Sequence, residues 1–170
     1  SEVWVQLSVS LLRDHQDTAL YFIASVVDIT DRVNARRLLE NSQQKIRQAL
    51  DELRRLKFAM DQHSIIAITD VSGNISYIND KFEDISGYSR SEMIGHNHRI
   101  LRSGMHSKAF FKDMFHIIAN GGVWHGEICN KTKQGELYWV DTTIVPFMDA
   151  KGKPYQYIAI RTDITAQKRL

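Results

Sequence analysis

The sequence has little of what staples, kinks or anchors a chain. Cys129 is the single cysteine among 170 residues, so no disulfide can form within the chain and a reducing compartment fits. Only two prolines interrupt it. No apolar run approaches the ~18 residues of a membrane span, and Ser1-Glu2-Val3-Trp4 is not the start of a signal peptide, so a cytoplasmic fragment with no membrane contact is expected. A net charge of +2 gives no general reason to expect a nucleic-acid or anionic-membrane partner. A glycine-rich phosphate loop, a nucleophile elbow and kinase or cyclase signatures are all lacking, and catalysis within these residues is not expected. The seven histidines include no pair at zinc-site spacing with cysteines or acids, so no metal site is expected.

With 43% hydrophobic and 25% charged residues, the chain has material for one average domain plus an appendage, not for two full domains. The appendage is explained by a gap-free repeat with an offset of 135 residues. Trp4-Val5 matches Trp139-Val140, Asp14 matches Asp149, Ile23-Ala24 matches Ile158-Ala159, and Asp28-Ile29-Thr30 matches Asp163-Ile164-Thr165. Each copy reads as two strands joined by a polar turn and ending where a helix can be capped. The chain thus holds the end of one module (1–30) and a second copy of that end (Trp139 onward). The front hairpin, Trp4 to Val27, lacks the elements that would cover it, which predicts disorder, packing on a neighbouring chain, or aggregation.

Residues 31–62 contain no Gly or Pro and are rich in Leu, Ala, Arg, Gln and Glu, which predicts one long linker helix. Leu39, Ile46, Leu53 and Met60 recur every seven residues, with Ala49 and Leu56 filling intervening positions and Ser42 the weak one. The pattern is that of a coiled-coil seam of about four heptads, and a homodimer through Leu39, Ile46, Leu53, Leu56 and Met60 is expected; packing of the seam on its own domain's sheet is the alternative. The basic residues between Arg32 and Lys57 read as a solvated face rather than a nucleic-acid contact.

From Ile65 the periodicity shortens. Strands are predicted at Ile65 to Asp70 and Ile75 to Ile78, joined by Val71-Ser72-Gly73-Asn74. Short helices follow around Asp80 to Ile85 and Ser89 to Met93. Ser107 to Asn120 reads as an amphipathic helix with Phe110, Phe111, Met114, Ile117 and Ile118 on its apolar stripe. Three strands close the domain, at Val123 to Lys131, Leu137 to Phe147 and Tyr155 to Asp163. This order predicts an α+β domain over 63–165, a five-stranded antiparallel sheet with helices on one face and a ligand-sized space between the layers. Residues 166–170 begin an exit helix.

Laid in order, Ile68-Thr69-Asp70 before Gly73-Asn74-Ile75, Tyr77-Ile78-Asn79, Phe82, Ile85-Ser86-Gly87-Tyr88, Gly95, Trp124-His125-Gly126-Glu127, Asn130-Lys131, Gly135, Tyr138-Trp139, Pro146 and Asp163-Ile164-Thr165 form a recognisable series. From about Leu56 to Thr165 the chain resembles PAS sensor domains, and residues 1–30 resemble the last two strands of a preceding one. The Gly95 to Trp139 stretch is similar to PAS domains of aerotaxis receptors, nitrogen-fixation redox sensors and a methane-oxidation sensor kinase, several of which hold FAD. It is equally similar to PAS domains, many without a known ligand, of cyclic di-GMP signalling proteins.

The resemblance implies FAD as the cofactor, with Trp124 and Asn130 matching the tryptophan and asparagine that approach the flavin ring; a ligand-free scaffold, or a sensor of another small molecule, is the alternative. Asn97, His98, Arg102 and Arg161 complete the candidate cofactor-binding set. Trp124, Gly126, Ile128 and Asn130 alternate onto one face of their strand, which would place ring wall and amide donor together. Light-sensing relatives carry a reactive cysteine where His98 stands and a glutamine where Arg161 stands, so adduct photochemistry is not expected. His116 is the only match to a haem-ligating histidine. The implied role is sensing and signal relay, with an output domain outside this chain, such as a cyclic di-GMP enzyme or a histidine kinase.

Overall fold

The computed structural model describes residues 2–170 and divides into two units, with the boundary between Arg55 and Leu56. In the first unit, β1 (Val5–Arg13) and β2 (Ala19–Asp28) pair antiparallel from Val5↔Asp28 to Arg13↔Ala19, and α1 (Thr30–His63) begins immediately after. The hairpin is formed, yet Val5, Leu7, Val9, Phe22 and Val26 are exposed. Leu39, Ile46, Leu53, Leu56 and Met60 are exposed along α1, which buries none of its residues.

In the second unit, the end of α1 leads into β3 (Ile65–Asp70), β4 (Ile75–Ile78), α2 (Asp80–Ser86), α3 (Arg90–Met93), a 3-10 turn at His98–Leu101, α4 (Lys108–Ala119), β5 (Trp124–Lys131), β6 (Leu137–Met148), β7 (Pro154–Asp163) and α5 (Thr165–Lys168). The expected strands and helices are all present within two residues of their predicted ends. The 3-10 turn is an addition: Asn97 caps it, and no hydrophobic period marks so short an element. The sheet order is β4-β3-β7-β6-β5, antiparallel throughout, so the first and last strands of the domain are hydrogen-bonded neighbours near its middle.

Alternation divides the sheet into two faces. On β6, Tyr138, Val140, Thr142 and Ile144 are buried while the residues between them are half-buried. α4 lies on the inner face through Phe111, Met114 and Ile118. Its apolar stripe is narrower than predicted, because Ile117 is 40% exposed. Gly121 accepts a positive φ of 84° where the chain leaves α4, a conformation that disfavours any other residue.

The 135-residue repeat is reproduced bond for bond. Asp28 Oδ1 accepts from the Thr30 N–H at 2.9 Å and its hydroxyl at 2.6 Å, and the Thr30 oxygen accepts from Trp4 N–H at 3.0 Å. Asp163 Oδ1, Thr165 and Trp139 N–H make the same three bonds at the same lengths. At the hairpin turns Asp14 accepts from Gln16 and Thr18, and Asp149 from Lys151 and Lys153.

Asn79, 1% exposed, ties the end of α1 to the sheet and to α2. Its amide oxygen accepts from Ile66 N–H (3.0 Å) and caps α2 at Phe82 N–H (3.2 Å); its nitrogen donates to Ser64 O (2.7 Å) and to Asp61 (3.3 Å). Asn79→Ala strands a buried donor and a buried acceptor together, so a loss of about 3 kcal/mol is expected in urea unfolding, with the denaturant slope unchanged.

Candidate functional site

A cavity of about 40 Å3, small because side chains fill most of the space, lies between the inner face of the sheet and α4. Its floor is low because small residues meet there: Ala67 on β3 pairs with Ala159 on β7. Its roof comes from Phe111, Met114, Phe115 and Ile118 of α4, and one end is closed by the turn carrying His98, Leu101 and Arg102. Side chains divide the space. His98 stacks on Phe115 with centroids 5.7 Å apart, and the Arg102 guanidinium lies 4.1 Å over the Phe111 ring.

Of the six candidate residues, the fold brings four together: His98, Arg102, Asn130 and Arg161 all line the cavity. Asn130 points inward from β5 beside Ile128, buried to 7% exposure, with Tyr138 across the β5–β6 pair. Burial pushes the Tyr138 phenol up to about 12, against the opposing influence of the Arg161 charge and the Asn130 hydrogen bond, and it stays neutral. Arg161 points inward from β7 between Ile65 and Thr142 on the neighbouring strands. Its guanidinium is buried, and Nε and Nη1 have no hydrogen-bond partner; Arg102 Nε is likewise unpartnered.

Two candidates stand elsewhere. Trp124 shares the inward face as expected but lies at the far end of β5, outside the cavity lining. Its indole lies along the strand over Gly126, where even a methyl group would come within 2.7 Å, and it meets the Phe110 ring edge to face. The aromatic wall is Phe111 and Phe115 instead. Face alternation located the side of the sheet but not how far along the strand the cavity extends. Asn97 spends its amide on the loop: its nitrogen donates to Ser72 O (2.8 Å) and its oxygen accepts from Arg99 N–H (3.2 Å). It holds the turn that presents His98 and Arg102. Phe115 was missed because it lies beside the apolar stripe of α4, although its i+4 relation to Phe111 was available as a signal. His116, the haem candidate, is exposed on α4 and is not part of the lining.

The wall is electropositive. Burial, with the charges of Arg161, Arg102 and Arg99, holds the His98 imidazole down at about 4 from an ordinary 6.5, so it is neutral at physiological pH. The cavity lining contains no Asp or Glu among the described residues.

His98 therefore gives a pH dependence with a definite sign. The unfolded chain takes up the His98 proton below 6.5 while the folded domain resists it until about 4, so this contribution is complete above 6.5 and is lost as pH falls through 4. At full extent it is about 3 kcal/mol. Comparing urea unfolding at neutral pH with that near the folded value, the wild type should lose about 3 kcal/mol more than His98→Gln.

Comparison with known proteins agrees with this architecture. A family model of the PAS domain matches residues 1–31 and 62–166. The aerotaxis receptor of Escherichia coli (strain K12) is 35% identical over 108 residues, 64% of this chain and 21% of the receptor. The nitrogen fixation regulatory protein of Klebsiella pneumoniae is 31% identical over 117 residues, 68% of this chain and 24% of that protein. The chain thus spans about a fifth to a quarter of these relatives' length. Among solved structures, the PAS domain of a protein from Colwellia psychrerythraea superposes with a TM-score of 0.61 at 27% identity, covering 67% of this chain and 98% of that one. The strand order, the cavity under α4 and the matched residues agree: the chain belongs to the PAS domain family.

Proposed function

We propose that residues 63–165 are a cytoplasmic redox- or oxygen-sensing domain that holds FAD in the cavity under α4. The coarser statement, that this is a sensory signalling domain, follows from its family. The finer one is supported chiefly by one observation: a buried, unpartnered Arg161 guanidinium faces a largely apolar cavity beside the Asn130 amide. Buried charges in proteins are paired, and a pairing group entering from outside is the simplest completion. A flavin ring, with apolar faces and an acceptor-rich edge, suits that donor set, and bound there it would supply reversible electron transfer. Asn130 and Arg161 would hold its edge, while Phe111 and Phe115 would pack on its faces. A second reading, a ligand-free scaffold, is favoured by the His98–Phe115 and Arg102–Phe111 contacts that divide the space.

In this reading residues 1–30 are the closing strands of a preceding PAS domain, 31–62 a linker helix and 166–170 the start of an exit helix. The path out of the cavity is short. Arg161 is two residues from Asp163, whose carboxylate holds Thr165 at the first turn of α5. A change in the hydrogen bonds at Arg161 or Asn130 is transmitted along β7 to that latch and onward to an output domain outside this chain, such as a cyclic di-GMP enzyme or a histidine kinase. The exposed Leu39, Ile46, Leu53, Leu56 and Met60 of α1 pair with the same seam of a second copy.

The visible absorption spectrum of the freshly purified protein, before and after heat release of chromophore, is the direct test. Flavin bands that bleach on reduction are expected; a folded protein that is colourless and takes up no added FAD would sink the flavin reading. Asn130→Leu should weaken flavin retention by about tenfold, the equivalent of one lost hydrogen bond. For the seam, Ile46→Asp with Leu53→Asp should convert a dimer to a monomer in light scattering coupled to size-exclusion chromatography.

A further inference from the structure

We infer that Arg161 is the charge-recognition residue of the cavity, and that the cavity selects a ligand with an apolar body and one negatively charged edge. Arg161 is 8% exposed, and neither Nε nor Nη1 finds a partner. The nearest aromatic face, Phe82, is 5.9 Å from the guanidinium carbon, which makes a weak substitute for an anion. A guanidinium does not escape burial by losing its proton, because its pKa is too high, so the charge persists and remains uncompensated until something binds. Arg102, whose Nε is also buried without a partner, adds a second positive charge to the same wall. His98 adds none, being held neutral.

The opposite requirement comes from the rest of the lining. Ile75, Met114, Ile118, Ile128 and Ile144 offer no hydrogen bonds to a ligand, so a small hydrophilic anion would leave them without contacts. One charged edge on an apolar remainder is the shape of charge that fits. Two chemical sources have it: a flavin ring, which becomes singly negative when it takes two electrons from a reductant and one proton from water, and a permanent organic carboxylate. For the flavin, the inference rests on the reading above and adds that Arg161 binds the reduced ring more tightly than the oxidised one. For the carboxylate it stands without that reading.

The experiment uses the whole chain, wild type and Arg161→Gln. In the flavin arm, the midpoint potential of bound FAD is titrated with dithionite. Each tenfold preference for the reduced form raises the potential by about 30 mV for a two-electron couple, and a drop of at least about 30 mV in Arg161→Gln is expected. In the second arm, 2-naphthoate and the neutral 2-naphthamide are compared by calorimetry in protein free of flavin. The wild type should prefer the acid by at least about tenfold, and Arg161→Gln should lose the preference. Bound flavin whose potential is unchanged by Arg161→Gln overturns the inference and leaves the flavin reading standing. An acid preference in a chain that takes up no FAD supports the inference and removes the flavin reading. If FAD is not bound and naphthoate binds no better than its amide, or neither binds, the inference fails; this wild-type comparison holds even if the variant does not fold.

Discussion

The domain depends on the pairing of its first strand with its last. β3 and β7 are hydrogen-bonded over six residue pairs, from Ile65↔Arg161 to Asp70↔Gln156, although about 90 residues separate them in sequence. This contact joins the β3–β4 hairpin to the β5–β6–β7 meander, and without it the two would be separate hairpin-like pieces with open edges. It also creates the site. The pairing brings Ala67 against Ala159, which lowers the floor under α4, and it carries Arg161 to the edge of that space. The entropy of closing so long a loop is offset by what closure buries: Ile65, Ala67, Tyr157 and Ala159 enter one apolar core with Ile78, Phe82 and Met114.

Once the sheet is closed, the cavity becomes a problem in electrostatics. Three basic side chains, Arg102, Arg161 and His98, reach one low-dielectric space. The imidazole resolves its share by staying neutral, since burial and the neighbouring guanidinium charges all disfavour its protonated form. The guanidinium groups have no such route. Evolution of a purely structural core would replace Arg161 with an apolar residue of similar volume, because a buried charge without a partner is a standing cost. The unpartnered Arg161 charge is the observation on which both the flavin reading and the charge-recognition inference rest.

The end of β7 offers the proposed signal a short path out of the domain. β7 ends in the Asp163–Thr165 latch, and the Trp139 N–H donates to the same threonine oxygen, so the ends of β6 and β7 and the first turn of α5 share one hydrogen-bonded knot. The identical knot joins β1, β2 and α1 through Trp4, Asp28 and Thr30. This junction recurs at an offset of 135 residues, and in the proposed relay it would join strand end to helix start at each step.

Much of this was legible in the residues alone. The strands and helices followed from alternation, from the apolar spacing of Phe111, Met114 and Ile118, and from caps such as Ser107, because these are local properties of the backbone and of neighbouring side chains. The repeat, the long helix and the family resemblance were legible for the same reason. The depth of the cavity was not. Trp124 and Asn130 share a face of β5, and only the placement of α4 and the closing β3–β7 pair decides that Asn130 lines the space while Trp124 packs over Gly126 beyond its end. Asn97 and Arg161 are both polar residues near glycine- or strand-rich segments. Tertiary structure alone spends the amide of Asn97 on Ser72 and leaves the guanidinium of Arg161 unspent. Sequence sets which face a residue occupies, since that depends on backbone period. Which partner it meets depends on contacts between segments tens of residues apart, and those are decided only when the sheet closes.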